Sequence, residues 1–402
     1  MKTTMDRSLC RHLGVELEHP DLRDQETTIG QSGAANAAYA ESARGPREQR
    51  ITGTEEKSMS NLKPPPYLTL VRAALLAPVV MGLSACSDAT EPMAMDCDYS
   101  GRPEIVFTDN DWNSAALQAA IAGKVVNLGY CYPTRALALG TVAGLEAIRA
   151  GDTHVTMEIW LPTQITAWNE AVESGAVEVV GKSLEDQWQA TFIIPQYAAD
   201  ANPGLRTVED LREPAHTQLF ATPDSEGKAR LLDCVPGWEC ELVNREKIET
   251  YGLGDFVHRA NAASAAALAA EIESAFTRRE NVLFYYWGPT TLTLKLESEL
   301  GGYYVLEEEE YSVACWESGK ACAYPTNEIY VGINTRLHDL APDVVEFLRK
   351  WDFRAEIQLA AEGYLEETGA EIDDVATWFL RNNQEWKMWV EPEVADRVLA
   401  GL

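Results

Sequence analysis

From about residue 104 to residue 333 the chain alternates short apolar runs, bounded by Pro, Gly or Asn, with Ala-rich or amphipathic stretches of helical length. Strands separated by helices bury both faces of a sheet, so this pattern specifies parallel α/β sheets rather than a sandwich or a helical bundle. With the helices that follow, it fills about 300 residues. One hydrophobic core rarely grows that large, and two lobes are expected.

In order, residues 104–108 read as a strand, and Asn113-Ser114 caps a helix running towards Gly123. Residues 125–129 read as a second strand, followed by a helix over 135–150 with Leu137, Val142, Leu145 and Ile148 near one face and Gly151 as its stop. In the strand 154–159, Val155, Met157 and Ile159 alternate, and Trp160 follows at its carboxyl end. Residues 191–194 form a buried strand ending at Pro195, after which the alternation starts again. Thr207-Val-Glu-Asp210 begins a helix, 218–222 reads as a strand, 261–279 as a long helix, and 281–287 as an aromatic strand ended by Gly288-Pro289. The acidic run 307–310 reads as a solvated edge or loop, and 328–333 returns to strand. Four helices close the chain at roughly 342–350, 354–362, 371–383 and 391–400.

The first 62 residues mix charges, Gly, Ser and Thr with little apolar periodicity, the composition of a disordered segment. Lys63, three prolines and Arg72 then precede an apolar run over 73–85 that contains Leu83-Ser84-Ala85 and leads into Cys86. A basic flank, thirteen apolar or small residues and a small-residue cut site make a secretory signal peptide, too short to span a bilayer comfortably. Leu-Ser-Ala-Cys resembles a bacterial lipobox, with Cys86 as the lipidated N-terminus. The expected organisation is a non-native or disordered extension over 1–58, a start at Met59, a lipoprotein signal peptide over 59–85 and a linker over 86–98. The exported part is then held outside the cytoplasm, in the periplasm or at the cell surface, and meets the membrane only through its lipid.

Residues 1–86 hold ten basic and ten acidic side chains, so the net charge of −30 falls entirely on the rest. Such a surface repels nucleic acid, which needs clustered Lys and Arg. It suits a soluble protein that attracts cations or tolerates salt. Beyond Cys10 and Cys86, six cysteines remain, an even number in an exported chain, which favours disulfides. Local spacing pairs Cys234 with Cys240 and Cys315 with Cys322, leaving Cys97 with Cys131; other connectivities stay open. Zinc is not expected, because no Cys-x2-Cys pair or neighbouring His completes a ligand set.

Signatures of catalysis are scarce. His154, His216, His258 and His338 are scattered, and no Gly-x-Ser-x-Gly elbow or phosphate loop occurs. Ser225-Glu-Gly-Lys228 matches Ser-x-x-Lys without companion motifs and reads as a surface turn. No enzyme activity, cofactor or metal is expected. Tryptophan is the unusual residue, since all eleven lie beyond Tyr99. Trp351 and Trp378, at helical spacing, read as core. Trp160 and Trp287 sit at strand ends, where open α/β sheets bind ligands. Trp238 lies in Cys234-Val-Pro-Gly-Trp-Glu-Cys240, a turn that a disulfide would close into a small ring. Three such faces around one point attract a quaternary ammonium at roughly 0.5–2 kcal/mol each; the alternative is three buried core indoles.

These residues resemble the substrate-binding proteins of glycine betaine and proline betaine ABC importers. Gly151-Asp152 with the strand ending Glu158-Ile-Trp160-Leu-Pro162 is similar to the family's first box tryptophan, Cys234–Cys240 to its disulfide-closed second, and Val282-Leu-Phe-Tyr-Tyr-Trp287 to its third. The resemblance implies a two-lobed, type II flytrap fold of the periplasmic binding proteins with two crossovers. Lobe one would be 99–195 plus 326–402 and lobe two 196–325, with a monomer closing on its ligand and presenting the closed form to an ABC permease and its ATPase. Trp160, Trp238 and Trp287 would hold the ligand, with Trp112 as a fourth wall. Two positions depart from the pattern: Gln164 stands where family members can carry a His near the ligand carboxylate, and Glu239, before Cys240, replaces a Gly whose neighbourhood offers backbone N–H groups. Glycine betaine is the expected ligand; choline, carnitine or trimethylamine N-oxide are alternatives, as is a sensor built on the same fold.

Overall fold

The computed structural model describes residues Cys97–Leu402. The extension, the signal peptide and the lipidation site Cys86 lie outside the described residues. Among the described residues, ten strands form two sheets. The first contains β1 (Ile105–Asp109), β2 (Thr134–Ala138), β3 (Val155–Leu161), β4 (Val177–Lys182) and, much later in the chain, β10 (Glu328–Asn334). The second contains β5 (Trp188–Pro195), β6 (Ala229–Asp233), β7 (Val257–Asn261), β8 (Leu283–Gly288) and β9 (Tyr303–Val305). Their orders are β2-β1-β3-β10-β4 and β7-β6-β8-β5-β9. This is the two-lobed α/β fold with two crossovers.

The sheets are mixed rather than purely parallel. β1 runs parallel to β2 and β3, while β10 is antiparallel to β3 and β4. In the second sheet β6 is parallel to β7 and β8, and β5 is antiparallel to β8 and β9. β5 and β10 enter their sheets from the opposite lobe, which reverses their direction. β5 therefore belongs to the second sheet, and the chain leaves the first lobe between Lys182 and Trp188, earlier than the boundary at 195. The two crossings bond to each other: Gln187 N donates to Asn327 O at 2.9 Å, and Asn327 N donates back to Gln187 O at 2.7 Å.

Local reading erred in several places. Residues Val125–Gly129 are not a strand but a π-helical turn that extends the helix Asn113–Lys124, and Val125 and Val126 are fully buried in it. A short apolar run fits a buried helix as well as a strand. Thr134–Ala138, rich in helix formers, is instead a half-exposed edge strand, because pairing with β1 outweighs propensity. The span 218–222 falls at the end of the helix Pro214–Leu219, while β6 carries the sheet. Within the acidic run, the Glu308 side chain is only 3% exposed and meets the fully buried Lys247 at 2.6 Å. That pair ties the loop to the helix Glu239–Thr250, so the run is not uniformly solvated.

Asn113 and Ser114 do not cap their helix either: both lie inside it, and Trp112 holds the N-cap position without a side-chain bond. β4, β7 and the helices Ile165–Glu173 and Glu239–Thr250 had no reading from the sequence. Other elements follow their signals. Gly151, at φ 84°, ends the helix Thr141–Ala150 in the left-handed region. Thr207 and Asp210 form a reciprocal capping box, and Ser264 caps the helix Ala265–Arg278. The helices Pro342–Arg349, Ala355–Thr368, Ile372–Asn382 and Pro392–Gly401 close the chain. Trp351 is buried among Phe347, Phe353 and Trp389, whereas the half-buried Trp378 stacks on Tyr364 at 4.0 Å. The disulfides are Cys97–Cys131, Cys234–Cys240 and Cys315–Cys322.

Candidate ligand-binding site

Between the lobes lies a small cavity. The first lobe contributes Trp112, the residue preceding the helix Asn113–Lys124, and Trp160 from β3. From the second lobe come Trp238, the residue preceding the helix Glu239–Thr250, and Trp287 from β8. The Trp238 ring stands edge-on to both neighbours, 5.0 Å from Trp112 and 5.4 Å from Trp287 between centroids. All four indoles are at least nine-tenths buried.

A register change in β3 aims one of them. Thr156 faces Gly332 and Ile159 faces Tyr330, so three steps along β3 oppose two along β10. The extra residue is a β-bulge, which interrupts the alternation. Val155, Met157 and Trp160 consequently pack in one core, while Ile159 packs in another with Ile148 and Trp168. Gly332 permits the packing, because a Cβ there would lie 2.3 Å from Ile159 Cδ1 and 2.7 Å from Trp168 Cη2.

The polar lining is neutral apart from Glu239. Gln164 Oε1 accepts the Trp160 amide at 3.2 Å, which leaves its amide nitrogen as the donor for the cavity. Thr163 and Gln189 line the cavity, and among the described residues the Thr163 hydroxyl and Gln189 Oε1, both buried, have no partner. Gln189 stands directly opposite Trp287 in the β5–β8 ladder, so both point to one face. Glu239 and Cys240 occupy the first turn of their helix, where backbone N–H groups lack intrahelical partners and the helix dipole favours negative charge. Burial pushes the Glu239 carboxyl pKa up, and nearby Lys320 opposes that shift. Among the described residues, no Lys, Arg or His lines the cavity.

Behind the indoles are carboxylates. Trp112 Nε1 and Trp160 Nε1 both donate to Glu158 Oε2, at 2.8 and 3.0 Å, and Trp238 Nε1 donates to Asp111 Oδ1 at 2.5 Å. The site can thus enclose a methylated cation in aromatic faces and offer neutral donors to an oxygen at its other end.

Every residue singled out for ligand contact, Trp112, Trp160, Gln164, Trp238, Glu239, Cys240 and Trp287, lines this one cavity. Sequence reading missed Thr141, Thr163, Gln189 and Tyr285 in its lining and the supporting carboxylates Glu158 and Asp111. Tyr285 lies two residues before Trp287 on β8, a spacing that places both on one face. Ser225 and Lys228 do not form a reactive pair: the Ser225 hydroxyl donates to Lys228 O, and Lys228 Nζ donates to Gly254 O. His154 is structural, its Nδ1 accepting the Val106 amide at 2.9 Å.

Comparison with known proteins follows the same lines. Residues 103–382 match the family described as the substrate-binding domain of ABC-type glycine betaine transport systems. A trimethylamine N-oxide-binding protein of Pelagibacter ubique is 24% identical over 330 residues, 78% of this chain and 96% of that one. A glycine betaine-binding periplasmic protein of Dickeya dadantii is 30% identical over 146 residues, 36% of this chain and 43% of that one. Among solved structures, an ABC-transporter choline-binding protein in complex with choline aligns at TM-score 0.61 and 17% identity, covering 74% of this chain and 97% of that one.

Proposed function

Because the chain belongs to the family of substrate-binding domains of ABC-type glycine betaine transport systems, we propose that it captures a small trimethylammonium osmolyte in its tryptophan-lined cavity and delivers it to an ABC permease. The members of this family are solute-binding proteins, not enzymes. The observation that carries the reading is that four indoles line one cavity in whose wall, among the described residues, no cationic side chain stands. A trimethylammonium group makes no hydrogen bonds and is drawn to the indole quadrupole, whereas a neutral hydrophobe of the same shape gains only burial. Cargo bridging Trp160 and Trp238 favours the closed form by its differential affinity, and that closed form is what the permease reads.

Trimethylamine N-oxide is the first candidate within this class. Its single oxygen asks only for neutral donors, which Gln164, Thr163 and the first turn at Glu239 and Cys240 supply. A relative that aligns over 96% of its own length is named for this ligand. Glycine betaine, with a full carboxylate, meets no counter-cation in the wall and ranks second. The protein works as a monomer outside the cytoplasm, tethered through a lipid on Cys86.

Calorimetric titration of the purified protein with trimethylamine N-oxide, glycine betaine, proline betaine, choline and carnitine tests this. Micromolar binding of trimethylamine N-oxide, with weaker binding of glycine betaine, is the expected result. If no member of the set binds below millimolar concentration, the reading is wrong. Metabolic labelling with a fatty acid, lost in Cys86→Ala, tests the tether.

A further inference from the structure

Three of the four cage indoles give their N–H to a carboxylate. Glu158, 3% exposed, receives two of them on Oε2 and the Gln118 amide on Oε1 at 2.7 Å. The orientation of Gln118 is not free, because its Oε1 accepts the Trp351 N–H at 2.9 Å and the Ser183 hydroxyl. Its nitrogen must therefore face Glu158. Two indole N–H groups and one amide N–H are obligate donors with no lone pair to receive a carboxyl proton and so favour the ionised form, while the Ser114 hydroxyl beside them can donate or accept. Burial pushes the other way and prevails, raising the carboxyl pKa, while the bonds from Ser114, Trp112, Trp160 and Gln118 lower it. Asp111 is a second case, reaching Trp238 from the opposite lobe.

We propose that Glu158 and Asp111 are positioning residues that set the charge selectivity of the cage, by polarising the indoles whose N–H they accept and by placing negative charge behind the rings. An indole donating to an anion carries more electron density on its faces, and a cation over those faces is held more strongly. The buried Glu158 charge also acts directly, since the space around it is low in dielectric and shielded from salt, whereas the exposed Asp111 acts through its bond to the Trp238 N–H. A neutral group of the same shape feels neither effect. The inference rests on the cavity being a cation cage, and it adds what makes the cage prefer a cation to a tert-butyl group.

The full chain is titrated with two isosteric pairs, each setting a positively charged nitrogen against a neutral carbon: trimethylamine N-oxide, a dipole of zero net charge, against tert-butanol, and the cation choline against 3,3-dimethyl-1-butanol; the pair whose nitrogen-charged member binds the wild type more tightly is followed. Glu158→Gln keeps the side-chain shape, and Asp111→Asn keeps an acceptor for the Trp238 N–H. The charged ligand should weaken on the order of tenfold in Glu158→Gln and several-fold in Asp111→Asn, while the neutral isostere shifts less than about twofold. Charged and neutral ligands weakening together, or neither weakening, would overturn the proposal and leave the carboxylates a purely orienting role. If Glu158→Gln does not fold, Asp111→Asn decides by the same ratio. A wild type that binds neither trimethylamine N-oxide nor choline defeats the cage reading itself, a result distinct from an unchanged ratio.

Discussion

The carbonyl oxygen of Gly237 lies 2.8 Å from the place where a Cβ on Gly140 would sit, so the two lobes meet there backbone against backbone. Val142 N also donates to Gly237 O at 3.3 Å across the same seam. Gly237, at φ 92°, supplies the left-handed turn that presents this carbonyl. Gly140 has an ordinary φ of −67°, so its glycine is required by space alone. Gly140→Ala should therefore leave the unliganded fold intact and hinder closure, lowering ligand affinity by about 1–3 kcal/mol, the usual cost of overpacking. Calorimetry with a parallel melt of the unliganded protein checks both halves. Unchanged affinity would mean that the lobes close without this contact.

Trp238 joins Trp112 and Trp287 within the cage, and removing it opens one side. Trp238→Ala should weaken binding by about 1–2 kcal/mol, one desolvated cation–π contact. The circular dichroism spectrum should not change. A variant that loses its fold instead would place this indole in the core rather than in a cage.

The Cys234–Cys240 and Cys97–Cys131 disulfides should behave oppositely. Chain-entropy arguments assign about 2 kcal/mol to the short ring and about 4 kcal/mol to the longer loop. Replacing Cys97 and Cys131 by Ser should cost more stability in urea and leave affinity alone. The same change at Cys234 and Cys240 should cost less stability and more affinity, because that ring places Trp238 and the first turn after it. Equal affinities in the two variants would show that the ring does not order the site.

Glu362 lies in the helix Ala355–Thr368, 2% exposed, with its carboxylate accepting the Gln358 amide at 3.0 Å. Burial pushes its pKa up from 4.5 to about 7. Between these values the folded form holds a proton that the unfolded chain has released, so this group lowers stability as pH rises through that interval. The penalty is absent below the unfolded pKa and complete above the folded one, on the order of 3 kcal/mol. Glu362→Gln should accordingly be more stable than wild type at pH 8 by about that amount, and differ little at pH 4. Urea melts at the two pH values make the comparison; a difference independent of pH would contradict it.

How much of this was legible in the chain depends on the range over which each feature is decided. Trp160 and Trp287 were located by strand ends, Trp238 by a Pro-Gly turn between two cysteines, and the closing helices by their apolar period, all signals contained in a few residues. The exchange of strand and helix around Val125–Gly129 and Thr134–Ala138 shows the limit of such signals. There the deciding factor was which segment could pair with β1, and composition does not record it.

The orientation of the cage depended on partners still further away. Alternation along β3 puts Val155, Met157 and Ile159 on one face, yet the bulge opposite Gly332 moves Ile159 to a separate core and leaves Trp160 with Met157. By itself the sequence determined that a chain of this pattern carries indoles at strand ends and in a tethered turn, because those positions follow from local backbone chemistry. Only the tertiary structure decided that they share one cavity, that Glu158 and Asp111 stand behind them, and that Gly140 meets Gly237. Register and close approach are properties of pairs of segments distant in the chain, and neither segment encodes them alone.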